Sequence, residues 1–181
     1  MQHARFRRHT VGVVAAAAIA GAIALAASPI ATASRARTAT VPACTTSGLV
    51  IWINTTGNGT AGSIYYTLEF TNLSGHTCTL SGYPGVSAVN LAGHQLGSPG
   101  GRDTFSPAHT VTLAASGAHQ TATATLRIVE AGNFPSSACG MTTAAGIRVY
   151  PPNQTASKVV PFPFSACSHT GPAILQVRVV R

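Results

Sequence analysis

From Ile64 to Phe70 the chain alternates, with Ile64, Tyr66, Leu68 and Phe70 on one side and Tyr65, Thr67 and Glu69 on the other. A period of two marks a strand buried on one face. Thr121–Val129 repeats the pattern: Ala122, Ala124, Leu126 and Ile128 point one way, and Thr121, Thr123, Thr125 and Arg127 the other. A helix would scatter those apolar residues around its circumference. Leu49–Ile53 is a β-branched and aromatic run, predicted as the first strand, with Thr55–Gly62 as the loop of a hairpin. Further strands are predicted at Val86–Leu91, Thr110–Ala114, Ile147–Tyr150 and Lys158–Phe164, and around Leu175, Val177 and Val179. Pro161 and Pro163 cannot donate ladder hydrogen bonds, which places Lys158–Phe164 on an edge. Turn residues fall at Asn72–Gly75, Gly82–Gly85 and Ser116-Gly117; Gly97–Pro107 reads as a long surface loop and Glu130–Ala138 as a loop holding one helical turn. About eight short strands with no convincing helix predict an all-β fold, an antiparallel β-sandwich of immunoglobulin-like architecture.

The first 33 of the 181 residues break this pattern and read as an address. Arg5, Arg7 and Arg8 precede an apolar, alanine-rich run from Val11 to Ala27, and Ala31-Thr32-Ala33 is an A-x-A cleavage site. Residues 1–33 are therefore expected to be a signal peptide, residues 34–43 a flexible leader, and residues 44–181 one β-sandwich domain. After cleavage no stable membrane insertion is expected. All four cysteines, Cys44, Cys78, Cys139 and Cys167, lie in the exported part, where an even number points to disulfides. Antiparallel pairing of the strands flanked by Cys44 and Cys78 brings those two sulfurs to one end, and the same holds for Cys139 and Cys167. Two disulfides, Cys44 to Cys78 and Cys139 to Cys167, are expected.

Charge narrows the function. Of eleven basic residues three leave with the address, and the remaining eight against Glu69, Asp103 and Glu130 give a net of +5. Arg102, Arg127, Arg148, Lys158 and Arg178 are scattered singly rather than gathered into a stripe, so no nucleic-acid partner is expected. The chain lacks a G-x-S-x-G elbow, an H-E-x-x-H pair, a glycine-rich phosphate loop and an S-x-x-K motif, and it is not expected to be an enzyme. His76, His94, His109, His119 and His169 lie far apart, and Met141 is the one methionine after the address, so no metal and no cofactor are expected. Trp52, Tyr65, Tyr83 and Tyr150 could present ring faces to a sugar or a protein, with Tyr83, between Gly82 and Pro84, the best placed for display on a loop. Arg102-Asp103, inside a glycine-rich loop, is expected to form a local salt bridge. Tyr83, Arg102 and Asp103 are the candidate ligand contacts.

Cys44-Thr45-Thr46-Ser47, the block from Phe70 through Asn72, Cys78 and Gly82-Tyr83-Pro84-Gly85 to Val86, the Val111-Thr112-Leu113 to Gly117 step, and Val149-Tyr150-Pro151-Pro152 carry a resemblance. Together they resemble the actinobacterial exported family known as domain of unknown function 4232, over nearly all of Cys44 to Val180. The resemblance implies a secreted or surface-anchored actinomycete protein. Many such proteins carry an anchoring lipid cysteine, which this sequence lacks, so a freely secreted or wall-associated protein is expected. It implies no activity and no catalytic residues. The expectation is a secreted, monomeric, non-enzymatic binding or structural module whose partner is an unidentified protein or a cell-wall glycan. The alternatives are a secreted inhibitor or effector that docks Gly97–Pro107 on another protein and, least favoured, an envelope hydrolase.

Overall fold

Residues 40–181 are described by the computed structural model; the expected signal peptide and most of the leader lie outside the described residues. Eleven strands form three sheets. The first strand, β1 (Leu49–Thr60), pairs antiparallel with β2 (Ser63–Asn72), which pairs with β8 (Thr121–Val129). β11 (Leu175–Val177) lies beyond β8, and β6 (Gly101–Arg102) completes the five-stranded sheet through a short parallel pairing with β11. The second sheet has four strands in the order β10 (Lys158–Cys167), β9 (Met141–Tyr150), β4 (Gly85–Val89) and β5 (Gln95–Leu96), all antiparallel. β3 (Cys78–Ser81) and β7 (Thr110–Leu113) form a separate antiparallel pair.

The alternation read along β2 and β8 becomes cross-strand layers. Ile51, Phe70 and Ala122 stand opposite one another, as do Ile53, Leu68 and Ala124. From the second sheet Val86 pairs with Val149, and Ala88 with Ile147 and then Val160. These buried side chains of both sheets belong to one apolar core. Phe70 is fully buried, which contributes about 1.5–3 kcal/mol relative to an exposed ring. The opposite face of the five-stranded sheet carries Trp52, Glu69 and Thr123 in one row, and Val50, Thr71 and Thr121 in the next. The architecture is thus the expected antiparallel sandwich, with β11–β6 as a parallel exception.

Four expectations are corrected. The fold has eleven strands rather than about eight, because short ladders at β3, β5 and β6 are too brief to show periodicity. Thr55–Gly62 is not a hairpin loop: β1 runs on to Thr60, and only Ala61 and Gly62 turn the chain. Gly62 has φ +73°, a backbone state that glycine adopts without penalty, and its carbonyl accepts from Asn133 Nδ2 and the Glu130 amide. The ladder shifts register between Asn54 and Asn58, which absorbs the extra residues. Gly97–Pro107 is not loop throughout, since it contains β6. The end of the leader is not loose: the Pro42 carbonyl accepts from the Thr79 amide, and Ala43 bridges β3 in parallel.

Both disulfides form as expected, Cys44 with Cys78 and Cys139 with Cys167. Pro161 and Pro163 sit on β10, an edge strand of its sheet, as their missing donors require. Lys158 Nζ donates to the Leu49 carbonyl and Thr46 Oγ1 to the Ala156 carbonyl, tying the edge of one sheet to the edge of the other. The loop at 130–138 holds two single turns, Ala131–Asn133 and Ser136–Cys139. Among the described residues no helix is long and apolar enough to cross a membrane.

Candidate functional site

Three segments distant in sequence meet around a cleft of about 300 Å³: the Gly82–Gly85 turn between β3 and β4, Arg102 at the end of β6, and Tyr150 with the turn that follows it. Each is fixed by local chemistry. Gly82 has φ +102°, and its carbonyl accepts from the Val180 amide, so the turn is held by the C-terminal segment. Pro84 is buried behind it. Tyr150 closes β9 directly opposite Gly85, and its side chain lies beside the Gly85 backbone. Pro151 and Pro152 end that strand, and Asn153 turns the chain with φ +60°, a conformation asparagine tolerates better than most residues. Asn153 Nδ2 donates to the Ser81 carbonyl at 3.0 Å, which joins this turn to the first.

The candidates Tyr83 and Arg102 meet in this cleft. The Tyr83 ring is half-buried and its hydroxyl donates to the Ser106 carbonyl at 2.9 Å. It is an anchored tyrosine rather than a freely displayed one. The Arg102 guanidinium carbon lies 5.8 Å from the Tyr83 ring centroid, within cation–π range. Asp103 departs from expectation: its partner is Arg178, not its neighbour Arg102. The Asp103 amide donates to the Val177 carbonyl, the β6–β11 pairing sets Asp103 beside β11, and Asp103 Oδ2 accepts from Arg178 Nε at 2.8 Å. Its other oxygen accepts from the Phe105 amide, and Arg178 lies 5.7 Å from the exposed Phe105 ring. Of the remaining aromatics, Trp52 is partly exposed on the outer face of β1, and Tyr65 is covered by Arg127 at 5.9 Å.

The hydrogen bond from Arg178 holds the Asp103 carboxyl below its ordinary value of 3.8. The pair binds the ionised form, so its contribution is complete above 3.8 and fades as the pH falls through the lowered native value. Both side chains are partly open to solvent, 41% for Arg178 and 29% for Asp103, which keeps the contribution small. Asp103→Asn is expected to lower stability at neutral pH by less than about 1 kcal/mol. Urea unfolding of both proteins across acid pH should show the difference closing below 3.8.

Asn153 and Gln154 complete the cleft, and neither is among the ligand contacts expected from sequence. The Pro-Pro-Asn ending of a strand marks a turn, and that signal could have pointed to Asn153; nothing in the sequence points to Gln154. A larger groove, about 530 Å³, runs between Asn90–Ala92, Thr143–Ala145 and Pro163. It is mainly apolar, and Asn90 Oδ1 is already engaged by the His94 amide. Recognition needs a few convergent polar groups as well as volume, and the smaller cleft has them. Among the described residues no group of three His, Cys, Asp or Glu side chains is placed to hold a metal ion.

The fold and cleft define a class: a disulfide-stapled all-β sandwich with a polar hollow where three loops meet. Residues 44–180 match the family described as Domain of unknown function (DUF4232), and the chain belongs to that family. No curated protein and no solved structure matches it.

Proposed function

We propose that the protein is a secreted, non-enzymatic binding module of an actinobacterial cell envelope or its surroundings, and that it binds through the cleft at Tyr83, Arg102 and Tyr150. Export is supported by the basic, apolar and A-x-A succession at the start of the chain and by two disulfides, which persist in oxidising compartments. The observation that carries the binding reading is the convergence of three separate loops on one hollow lined by an arginine, two tyrosines and two amides. Asp103, next to Arg102 in sequence, is committed to Arg178. An arginine, aromatic rings and amides gathered in one hollow suit recognition.

Phe105, 83% exposed, favours a second reading, in which the segment around it docks on another protein as an inhibitor or effector. One experiment separates the two. Wild-type protein is incubated with purified cell wall and sedimented, beside Tyr150→Ala and Phe105→Ser. Under the cleft reading wild type and Phe105→Ser sediment with the wall and Tyr150→Ala stays in the supernatant. Wild-type protein left wholly in the supernatant counts against wall binding, and loss with Phe105→Ser alone transfers the contact to the second surface.

A further inference from the structure

We propose that the cleft recognises an acidic saccharide, a pyranose unit carrying a carboxylate, with Arg102 as the carboxylate anchor; this rests on the cleft being the binding surface. Arg127 donates to Ser63 Oγ at 3.0 Å and Gln176 Oε1 at 3.1 Å, Arg148 donates to the Gly93 carbonyl, Lys158 to the Leu49 carbonyl and Arg178 to Asp103. The side chains of Arg102 and the C-terminal Arg181 make no such bond to another described residue, and of these two only Arg102 is held over an aromatic ring. Arg102 is exposed, and that ring is Tyr83. A planar fork of donors fixed against an aromatic face, with no protein acceptor, is pre-organised for a carboxylate or similar planar anion.

The remaining lining argues for a sugar around that anion. No carboxylate lines the cleft to compete for Arg102. Asn153 spends its Nδ2 on Ser81, which leaves its Oδ1 to accept, and among the described residues the Gln154 side chain makes only a long 3.5 Å contact, to the Asn153 carbonyl. Tyr150 adds a hydroxyl that bonds no other described residue and a ring beside Pro151. Amides that both donate and accept suit vicinal hydroxyls, and an aromatic face suits the C–H face of a pyranose. A volume of about 300 Å³ lies at the small end of ligand pockets, in keeping with one or two sugar units rather than a folded partner.

The test is titration of ¹⁵N-labelled protein with trigalacturonic acid, with its fully methyl-esterified form, and with sodium acetate. Ester and acid share ring and hydroxyl geometry and differ in charge; acetate supplies a carboxylate without a sugar. The expected result is a set of shifts centred on Gly82, Arg102, Tyr150 and Gln154 with the acid. Affinity for the ester should be at least about tenfold weaker, and acetate should give no saturable shift. Arg102→Gln should weaken acid binding by about tenfold or more while shifting the melting temperature by no more than a few degrees, because its side chain is exposed and its one contact is the Tyr83 ring. Arg102→Lys, which keeps the charge and loses the fork, should fall between. Equal affinity for acid and ester, shifts centred elsewhere, no binding of the acid, or an unaltered Arg102→Gln titration each overturn the proposal. If the acid fails to bind while Tyr150→Ala still releases the protein from cell wall, the ligand class is wrong and the binding reading stands.

Discussion

Replacing Cys44 and Cys78 together by alanine is expected to lower the unfolding free energy by about 3.5 to 4 kcal/mol. The two cysteines are 34 residues apart, and closing a loop of that length removes corresponding entropy from the unfolded chain. Alanine is the right replacement because both positions are buried, and serine would add the cost of enclosing a hydroxyl. The bond also joins the segment before β1 to the start of β3, a strand of four residues paired with β7 and bridged on its other side by Ala43. The Cys139–Cys167 pair spans 28 residues, and its double alanine variant should lose nearly as much, since the entropy varies only with the logarithm of loop length. A domain of ordinary stability has about 5–15 kcal/mol in all, so removing both bridges, about 7 kcal/mol together, takes about half of it or more. Equilibrium unfolding in urea, comparing each double variant with the parent, measures the losses directly. A loss below about 1 kcal/mol at either bridge would mean that loop closure is not what these bonds contribute.

Both bridges were legible because they depend on strand order, and strand order follows from alternation. β8 shows the limit of that method at its best: Ala122, Ala124, Leu126 and Ile128 face the core along a strand that begins and ends where the alternation does. The second half of β1 shows where it fails. Asn54–Thr60 is a strand with little buried side-chain surface, so Thr, Gly and Asn carry no periodicity, and the ladder to β2 determines its shape. β6 was illegible for a related reason, since two residues cannot display a period and their partner β11 lies far along the chain.

The cleft divides the same way. Tyr83 and Tyr150 stand beside turn residues and could be suspected of display, and Arg102 was conspicuous among glycines. That Arg102 would stack on Tyr83 while Asp103 reached Arg178, 75 positions away, could not be read locally. Adjacent residues of an extended segment project to opposite sides, so a salt bridge between Arg102 and Asp103 was the less natural outcome once β6 formed. The unspent guanidinium, on which the ligand proposal rests, follows from that long-range choice of partner.

Asn72 is the residue whose importance the sequence understated, and its replacement should be the costliest single change outside the core and the bridges. It reads as the first residue of a turn, yet it is fully buried. Its Nδ2 donates to the carbonyls of His76 at 2.7 Å and Ala114 at 2.9 Å, and its Oδ1 accepts from the amide and hydroxyl of Ser74. Its backbone exchanges bonds with Gln120. One side chain therefore ties the β2–β3 turn to the β7–β8 turn. Asn72→Ala strands the Ala114 carbonyl, leaves the His76 carbonyl only the Ser74 hydroxyl at 3.1 Å, and should cost about 2–3 kcal/mol in urea unfolding. Asn72→Asp is the sharper test, because it preserves shape and the acceptor for Ser74 while turning the donor into an oxygen that faces carbonyls. The enclosed carboxylate then has its pKa raised in the native state, by burial and by the carbonyl dipoles. A raised native value means that the proton is bound more tightly when folded, so the aspartate variant should be at least as unstable as alanine at neutral pH. It should recover part of the loss as the pH falls into the ordinary aspartate range, where a protonated carboxyl can donate again to one carbonyl. A variant with the same deficit relative to wild type throughout that range would mean that the donor at position 72 does not hold the two turns together.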